Sequence, residues 1–342
     1  MKAPRIQDIT LELLQKCHQE CRYCSSNSSQ DQTTQLDFKV VKKTIDNFYA
    51  LGGKVVELSG GEPLSYDFIN ETIEYLASKD LEIHLFTCCY VPDKEINWDI
   101  VRKVDRVYVN LQAPNKEIHD YLTNNEGSFD RVINFIRKCK EYQLWVGTHI
   151  IPLPHNINEI DDYVKLAEYL EIDNVSLLRY VEQGRGTNQL ELNDEEILQL
   201  HHIITKYQNR ENKVEFKIGC PLDFQFIYKR RKEAKPCVSA KKRCVVRPNG
   251  NVIPCPAYKD DPEFVGGNVN KTSFKEIWEK SEIFIKIRNF DQNKLVGFCS
   301  KCSFLDIWKG RCHAQRIHHH GKLSLSPDPY CPIYINQKKP QV

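Results

Sequence analysis

The chain has 342 residues, a length that accommodates about two domains with large buried cores and excludes a mini-protein. Lys and Arg number 48 against 46 Asp and Glu, so the formal net charge is +2 and bulk charge indicates neither a DNA-binding polycation nor an acidic tail. Hydrophobic residues make up 41% of the chain, with 15 Gly and 16 Pro, which is typical of a folded protein rather than a disordered one.

Membrane and export signals are missing from the sequence. No apolar run approaches the roughly 18 residues that a membrane-spanning helix needs, and the N-terminus lacks the apolar segment of a secretory signal. We therefore expect a cytoplasmic protein without a membrane partner. The 14 cysteines are the unusual number, because in a cytoplasmic chain of this length they indicate metal binding more than disulfides.

Strand-like and helix-like patterns alternate over the first two hundred or so residues, as in parallel strands joined by crossover helices. Six strands are predicted, over residues 9–13, 55–58, 83–86, 106–111, 144–151 and 175–181. Apolar residues at helical spacing follow each of the first five, for example Val41, Ile45 and Phe48 after the first. A last helix is predicted near residues 195–207.

Six parallel β/α units can curl into an open barrel whose loops after each strand converge at one face. We therefore predict an α/β fold, with a partial (β/α)6 TIM-like barrel over residues 1–210 and function at that face. From about residue 214 the chain has short strands, turns, two basic runs (228–235 and 241–243) and eight cysteines. A second domain is predicted over residues 211–342. Its hydrophobic core would be small, so we expect bound metal to stabilise it.

The sharpest local motif is CxxxCxxC, formed by Cys17, Cys21 and Cys24 on the loop after the first strand. A fully ligated [4Fe-4S] cluster takes four cysteines, so three would leave one iron open to an external ligand. The alternatives are a zinc site completed by His18 and a chance spacing, although zinc ligands usually come as paired CxxC or HxxxH units.

A second motif, Gly60-Gly61-Glu62-Pro63, follows the second strand and so lies at the same face. The glycines let backbone groups approach a ligand closely, and Glu62 can accept a hydrogen bond from an ammonium group. Alone, the motif would indicate a tight strand-to-helix turn. One β/α unit after CxxxCxxC, it favours a binding site.

Together these motifs resemble the radical S-adenosylmethionine (SAM) superfamily. The resemblance implies that Cys17, Cys21 and Cys24 bind a [4Fe-4S] cluster whose open iron chelates SAM. It also implies that Tyr23 lies near the adenine, and that the Gly-Gly-Glu segment meets the SAM amino group. In this family, electron transfer from the cluster cleaves SAM to methionine and a 5'-deoxyadenosyl radical, which abstracts hydrogen from the substrate.

Two further strand ends fit the same face. Asn110 and Gln112 stand where relatives often carry Ser and Asp that contact the SAM carboxylate and ribose, and amides can make those hydrogen bonds. Cys88 and Cys89 follow the third strand, where many relatives have Asn-Gly. They are candidate catalytic thiols, because a thiol can return a hydrogen atom to a substrate radical, but buried packing is the alternative.

The C-terminal cysteines follow the pattern Cys237-x12-Gly250-x4-Cys255, then Cys299-x2-Cys302-x9-Cys312, then Cys331. The segment around Gly250 is predicted to be a hairpin turn. The pattern resembles the SPASM extension of some radical SAM enzymes, which implies an iron-sulfur domain with two auxiliary [4Fe-4S] clusters. A ferredoxin-like or zinc-ribbon module is the alternative.

One position departs from that pattern, because Trp308 replaces the cysteine expected four residues before Cys312. By resemblance, Cys237, Cys255 and Cys312 serve the first auxiliary cluster, with Cys244 or Cys220 as the fourth ligand. Cys299, Cys302 and Cys331 would serve the second cluster. That cluster is predicted to have an open or non-cysteine-ligated iron.

The leading hypothesis is a radical SAM/SPASM enzyme that oxidises or cross-links a peptide or protein. A flavodoxin or ferredoxin-type reductant would supply its electrons. Pro256 replaces the Asp of sulfatase-maturating relatives, which disfavours formylglycine formation. The chain starts close to the first strand, so we expect recognition by the barrel mouth, the SPASM domain or a separate protein rather than by an N-terminal leader-binding domain.

Three alternatives stay open. The first is dehydrogenation or epimerisation of a small molecule such as a sugar or aminocyclitol, which the thiols of Cys88 and Cys89 favour. The second is an iron-sulfur electron carrier or scaffold, which would not bind SAM. The third is a zinc-stapled nucleic-acid binder, which the near-neutral charge disfavours. Arg179 and Arg185 could bind a substrate carboxylate or belong to barrel networks.

Overall fold

The fold is built on a ten-stranded sheet, seen in a computed structural model that describes residues 3–93, 95–209, 211, 213–224, 227, 237–308, 312–321 and 327–338, with Cys220 and Gln292 described by their backbone alone. The strands are β1 (Asp8–Glu12), β2 (Val55–Ser59), β3 (Glu82–Thr87), β4 (Arg106–Asn110), β5 (Val146–Ile150), β6 (Asn174–Leu177), β7 (Glu215–Ile218), β8 (Arg243–Val246), β9 (Asn251–Ile253) and β10 (Gly267–Asn268).

The sheet runs in the order β10-β9-β8-β1-β2-β3-β4-β5-β6-β7. Strands β1 to β7 pair in parallel, each with the next, and β8 pairs in parallel with the free edge of β1. The chain then turns back through β9 and β10, which pair antiparallel. All parallel strands therefore end at one edge of the sheet, where the predicted site loops begin.

The helices connect the parallel strands or follow the sheet. They are α1 (Phe38–Ala50), α2 (Ile69–Ala77), α3 (Trp98–Val101), α4 (Lys116–Thr123), α5 (Ser128–Glu141), α6 (Ile160–Tyr169), α7 (Asp194–Asn209), α8 (Phe274–Lys280), α9 (Glu282–Arg288), α10 (Leu305–Trp308), α11 (His313–His320) and α12 (Pro332–Lys338). Helix α1 shows why they form: Asp37 caps its first turn, and Val41, Ile45 and Phe48 bury one stripe against the sheet.

The six predicted strands are all present, and the predicted helices follow the first five and precede residue 210. The sixth strand ends at Leu177 instead of residue 181, and two residues later Arg179 contacts Asp328 in the C-terminal part. Helix α4 was not predicted. It is only eight residues long, and Asn115 starts it by accepting the Ile118 N–H at 3.0 Å.

The sheet continues past residue 210 at both edges. Strand β7 pairs with β6, and β8 places Cys244 opposite Ile9. Trp278 of α8 is buried and donates its indole N–H to the Pro4 carbonyl at 2.9 Å. The C-terminal part therefore packs on both edges of the barrel sheet, which brings its cysteines towards the barrel face.

Among the described residues, we find no helix with both the length and the apolar character needed to cross a membrane. The basic run at 228–235 lies outside the described residues.

Candidate iron-sulfur and S-adenosylmethionine site

The three cysteines of the CxxxCxxC motif lie on the loop that follows β1. Cys17 and Cys21 are buried and Cys24 is half-buried. The Cys24 N–H donates to the Cys21 carbonyl at 3.1 Å, which folds the CxxC half into a tight turn. Burial raises the pKa of the Cys21 thiol, and Cys24 and Cys17 raise it further, so the three sulfur atoms lie near one another. Buried thiolates need a compensating cation, which an iron cluster supplies.

Helix α5 and the turn before it hold this loop from the side. Gln19 is buried and donates its amide to Ser128 Oγ at 2.5 Å, at the first residue of the helix. Asn125 donates to the His18 carbonyl at 2.8 Å. These bonds connect residues more than a hundred positions apart and fix the path of the backbone between Cys17 and Cys21.

The geometry gives no support to a zinc ion completed by His18. Its Nε2 lies 3.2 Å from Asp93 Oδ2, and its ring packs edge-on against Tyr90. Within the described part of the chain, no three His, Cys, Asp or Glu side chains converge closely enough to hold a single metal ion.

The Gly-Gly-Glu turn packs directly on the cysteine loop. The Gly61 N–H donates to the Leu14 carbonyl at 2.7 Å, and the Glu62 N–H donates to the Lys16 carbonyl at 2.9 Å. A Cβ atom on Gly61 would overlap the Lys16 carbonyl oxygen, and Gly60 has a φ of +127°. Only glycines allow this approach of the two loops.

Glu62 lies at the centre of the turn and is fully buried. Its Oε1 accepts from the Leu64 N–H at 2.9 Å and from Thr87 Oγ1 at 2.8 Å, and its Oε2 accepts from the Cys88 N–H at 2.7 Å. Burial raises the pKa of Glu62, and these hydrogen bonds oppose the rise. The carboxylate thus joins the loops after β2 and β3.

Cys88 and Cys89 differ in their surroundings although both are buried. Cys88 Sγ lies 4.0 Å from Cys17 Sγ, and this contact and burial raise the pKa of Cys88. Cys89 has a φ of +63° and packs in the hydrophobic core. Cys88 is therefore the thiol that adjoins the cysteine loop, whereas Cys89 has the surroundings of a packing residue.

Tyr23 and Asn110 form a pair at the end of β4, with the Tyr23 hydroxyl 3.0 Å from Asn110 Oδ1. Gln112 supports this pair by donating to Asn110 Oδ1 at 2.7 Å. The Gln112 amide also donates to the His149 carbonyl and accepts from the Ile151 N–H. Since Gln112 is 1% exposed and engaged by protein groups, the structure gives it the contacts of a supporting residue.

His119 packs beneath this network and is fully buried. Its Nδ1 accepts the Gln112 N–H at 3.1 Å, and its Nε2 lies 3.1 Å from Ser128 Oγ. A ring nitrogen that accepts carries no proton, so the folded protein holds His119 neutral. Burial lowers the pKa of His119 to about 4 from its ordinary value of 6.5.

We expect this histidine to destabilise the protein in acid. As pH falls, the histidine of the unfolded chain takes up a proton before the buried His119 of the folded protein does. The free energy of unfolding therefore keeps its full value above about pH 6.5 and falls by up to about 3 kcal/mol towards pH 4. The His119→Asn variant keeps an acceptor without a titrating ring, so its free energy of unfolding should fall less steeply over this pH range. Urea unfolding at several pH values measures the slope, with exposed His155→Asn as the control. Equal slopes in His119→Asn and wild type would contradict the prediction.

Three cysteines of the first predicted auxiliary cluster come together around Tyr258. Burial raises the pKa of Cys312 to about 12, with Cys237 as the next cause, and raises the pKa of Cys255 to about 11. Burial raises the pKa of Tyr258 as well, and Cys255, Cys312 and Cys237 add to it. The spacing of these cysteines in sequence is therefore matched by proximity in space.

The two candidates for the fourth ligand of that cluster differ in their positions in the fold. Cys244 lies within β8, is fully buried in the hydrophobic core and pairs with Ile9. Burial raises the pKa of Cys244, and the charged groups that act on it are Arg288 and Arg243. Cys220 begins a short turn, Cys220–Leu222, and its side chain lies outside the described residues.

Three cysteines of the second predicted auxiliary cluster line one small cavity. The lining residues are Ile227, Phe298, Cys299, Cys302, Phe304, Trp308, Cys331 and Ile333. Burial raises the pKa of Cys331 to about 12. Trp308 is 4% exposed, and its indole N–H has no hydrogen-bond partner within the described ranges. Trp308, which the resemblance sets in the place of a fourth cysteine, thus lies at the same cavity as the three predicted ligands.

Two buried arginines accompany these cysteines, and sequence reasoning missed one of them. Arg179 contacts both oxygens of buried Asp328, at 2.7 and 2.9 Å. Arg316 of α11 is fully buried and follows Cys312 by four residues, but no spacing in the sequence indicates that this arginine is buried. Counting only described residues as partners, Arg179 Nε and Nη2 and all three Arg316 nitrogens make no hydrogen bond.

These donors fit an iron-sulfur cluster. A buried donor without an acceptor is rare in folded proteins and often marks an ion or ligand. Thiolates and inorganic sulfides accept hydrogen bonds and carry negative charge, so a cluster held by these cysteines would satisfy the unpaired donors.

The loop after β6 joins the cysteine loop to the C-terminal part. The Arg185 N–H donates to the Cys24 carbonyl, and its Nε donates to the Cys21 carbonyl, both at 3.0 Å. Gly184 has a φ of +65°, and a Cβ atom there would overlap the Cys24 carbonyl oxygen. Arg185 therefore contacts the CxxC backbone.

The same loop continues to the turn after Cys255. Gln183 donates to the Pro256 carbonyl at 2.7 Å. Lys259 donates to Ser26 Oγ at 2.6 Å and forms an ion pair with Glu12, also at 2.6 Å. The two cysteine-rich regions are thereby held together by charged and polar contacts that the sequence pattern did not reveal.

Comparison with known protein families identifies two domains. The model of the radical SAM superfamily matches residues 11–170, and the model of an iron-sulfur cluster-binding domain, SPASM, matches residues 237–303. These matches lie on either side of the boundary predicted at residue 210, which stays a prediction.

Similar proteins extend over most of the chain. The AdoMet-dependent heme synthase of Methanosarcina barkeri is 27% identical, with 98% of each chain covered. The antilisterial bacteriocin subtilosin biosynthesis protein AlbA of Bacillus subtilis is 23% identical over 90% of this chain and 69% of its own. The crystal structure of Streptococcus suis SuiB bound to precursor peptide SuiA has a TM-score of 0.80 at 18% identity, covering 97% of this chain and 76% of SuiB.

The chain is a radical SAM superfamily enzyme with a C-terminal SPASM domain. The predicted fold class is confirmed: a parallel α/β sheet of the radical SAM type with a cysteine-rich SPASM part. The two domains indicate iron-sulfur clusters and SAM as cofactors.

Proposed function

We propose that this enzyme abstracts hydrogen from a peptide or protein substrate and leaves it oxidised or cross-linked. The observation that carries the proposal is the buried three-thiol loop packed against the Gly-Gly-Glu turn at the ends of β1 and β2. An electron carrier or scaffold would not need the Gly-Gly-Glu turn, because it does not bind SAM.

The chain's own residues would hold and orient the cofactors. Cys17, Cys21 and Cys24 would ligate a [4Fe-4S] cluster, and the Gly60–Glu62 turn would offer backbone groups to the SAM amino group. When bound, the cluster and SAM supply a 5'-deoxyadenosyl radical. The Tyr23–Asn110 pair would contact the nucleoside, with Gln112 keeping Asn110 oriented.

Two auxiliary clusters form part of the proposal. Cys237, Cys255 and Cys312 would hold the first, and Cys299, Cys302 and Cys331 would hold the second beside Trp308. The shared cavity and the unpaired buried donors support these assignments. Clusters held there would supply an acceptor for the one electron that the substrate radical loses after hydrogen abstraction, which favours net oxidation over a redox-neutral reaction.

Two relatives support a peptide substrate. SuiB was crystallised with a precursor peptide, and AlbA serves in the biosynthesis of a bacteriocin. In this chain, the face between the cysteine loop and the turn after Cys255 would receive the peptide, because β/α loops and SPASM part meet there.

The test uses anaerobically reconstituted enzyme with SAM and dithionite. We expect 5'-deoxyadenosine and methionine, and faster 5'-deoxyadenosine formation when the correct peptide is added. Peptides encoded beside the gene are the first substrates to assay, with mass spectrometry reporting hydrogen loss. Fully loaded enzyme that produces no 5'-deoxyadenosine would contradict the proposed chemistry.

A second candidate function is radical modification of a small molecule. The heme synthase relative favours it, since 27% identity extends over nearly all of both chains. The position of Cys88 beside Cys17 is compatible with a thiol that returns hydrogen to a substrate radical. Turnover of a tetrapyrrole or sugar with solvent deuterium in the product would favour this candidate, and full activity of a Cys88→Ala, Cys89→Ala double variant would dismiss the thiol donor.

A further inference from the structure

The most unusual buried group outside the SAM site is the guanidinium of Arg316. Arg316 lies on α11 and is fully buried. Its Nε, Nη1 and Nη2 atoms nevertheless have no hydrogen-bond partners among the described residues. An unpaired guanidinium in a protein interior costs several kcal/mol by typical estimates. A folded protein retains such a group only when something else compensates the charge.

The nearby carboxylate is already engaged. Asp328 is fully buried and accepts two hydrogen bonds from Arg179 Nη1, and its Oδ1 also accepts the Tyr330 N–H at 3.0 Å. The Phe290 ring lies 5.0 Å from the Arg316 guanidinium carbon and contributes a cation–π contact, which satisfies no N–H group. Within the ranges that the structure describes, Arg316 thus has an aromatic face but no acceptor.

Arg316 lies within the electrostatic influence of both auxiliary cysteine groups. Burial lowers the pKa of Arg316, whereas Asp328, Cys312 and Cys299 act in the opposite direction. Cys312 belongs to the first predicted group and Cys299 to the second. Arg316 is therefore close enough to both groups to interact with anionic centres held there.

We infer that Arg316 donates hydrogen bonds to the auxiliary iron-sulfur centres and is a shared counter-charge that raises their reduction potentials. This inference rests on the auxiliary clusters of the proposed function. Hydrogen bonds and positive charge near cluster sulfurs stabilise the reduced, more negative form. The residue would thereby help the auxiliary centres to accept an electron from the substrate.

The experiment compares wild type, Arg316→Lys, Arg316→Gln and Arg316→Met as anaerobically reconstituted full-length holoenzymes. Iron content is measured first, and EPR-monitored redox titration then gives the auxiliary potentials. At the wild-type midpoint, Arg316→Met should reduce the ratio of reduced to oxidised auxiliary cluster about tenfold, which equals about 59 mV for one electron. Arg316→Lys should lie between the two, since it retains the charge but not the planar set of donors.

Two controls separate this effect from general damage. The N-terminal cluster, identified by the change that SAM makes to its EPR signal, should keep its potential in every variant. Arg106 begins β4, away from the predicted ligands, and its guanidinium stacks on the Trp145 ring. The Arg106→Met variant should therefore leave all cluster potentials unchanged.

Each outcome decides the inference. Unchanged auxiliary potentials in a fully loaded Arg316→Met variant would overturn it while leaving the proposed function intact. If Arg316→Met loses auxiliary iron, retention of iron by Arg316→Lys but not by Arg316→Gln supports the counter-charge, and equal loss in both refutes it. Wild-type enzyme with only about four iron atoms would refute the auxiliary clusters themselves, and this inference with them.

Discussion

Replacing Cys21 with serine is expected to remove about four iron atoms per chain and to abolish SAM cleavage while the auxiliary iron stays in place. Cys21 is buried near Cys17 and Cys24, and a serine hydroxyl at this position is a poor ligand for iron. Iron and sulfide analysis should report the loss of one cluster. Chromatography of the reaction should find no 5'-deoxyadenosine above the level without enzyme.

Cys139→Ala is the matched control for this variant. Cys139 is also fully buried, but it lies on the apolar face of α5, and burial raises the pKa of its thiol to about 12. Its removal should lower the free energy of unfolding by about 1 to 2 kcal/mol and leave iron content and SAM cleavage unchanged. A Cys21→Ser enzyme that keeps all of its iron would show that Cys21 is not a ligand.

The barrel strands could be predicted because their local pattern is strong. In β1, Ile9 and Leu11 are fully buried within a run of strand-forming residues, and the following helix repeats apolar residues at helical spacing. The cysteine loop was found for a similar reason. Its spacing is a local pattern, and the structure confirms that the motif directly follows β1.

Long-range pairings could not be predicted in this way. Strand β8 pairs with β1 across more than two hundred residues, and β7 has four residues with a single buried side chain, Ile218. A short segment of sequence does not indicate which edge of the sheet such a strand joins. The domain boundary was therefore predicted where the alternation of strand and helix patterns ends. The sheet nevertheless continues after that boundary, with β7 at one edge and β8, β9 and β10 at the other.

The site was predictable where residue type determines the chemistry. The motifs named the cysteines and the Gly-Gly-Glu turn as candidate site residues, whereas Arg316, Lys259 and Gln183 were not named. Arginine and lysine are mostly exposed in proteins, so their burial depends on tertiary packing that no spacing encodes. These missed residues connect or surround the cysteine groups.

Gly61→Ala is expected to disrupt SAM binding through the backbone. A Cβ atom at residue 61 would overlap the Lys16 carbonyl oxygen, so the Gly-Gly-Glu turn and the cysteine loop would have to separate. That movement would break the Gly61 N–H bond to Leu14 and the Glu62 N–H bond to Lys16. We expect a loss of about 1 to 3 kcal/mol in stability and a marked loss of SAM affinity.

Gly219→Ala provides the steric control, because a Cβ atom there would meet Pro221 Cδ at 3.4 Å, an ordinary contact. Thermal unfolding and equilibrium dialysis with labelled SAM should separate the two variants, with Gly219→Ala close to wild type. If the turn only connects β2 to α2, Gly61→Ala should lose stability but bind SAM normally once folded. Retained affinity would therefore argue against a SAM contact at this turn, since a cofactor held between two loops is sensitive to their separation.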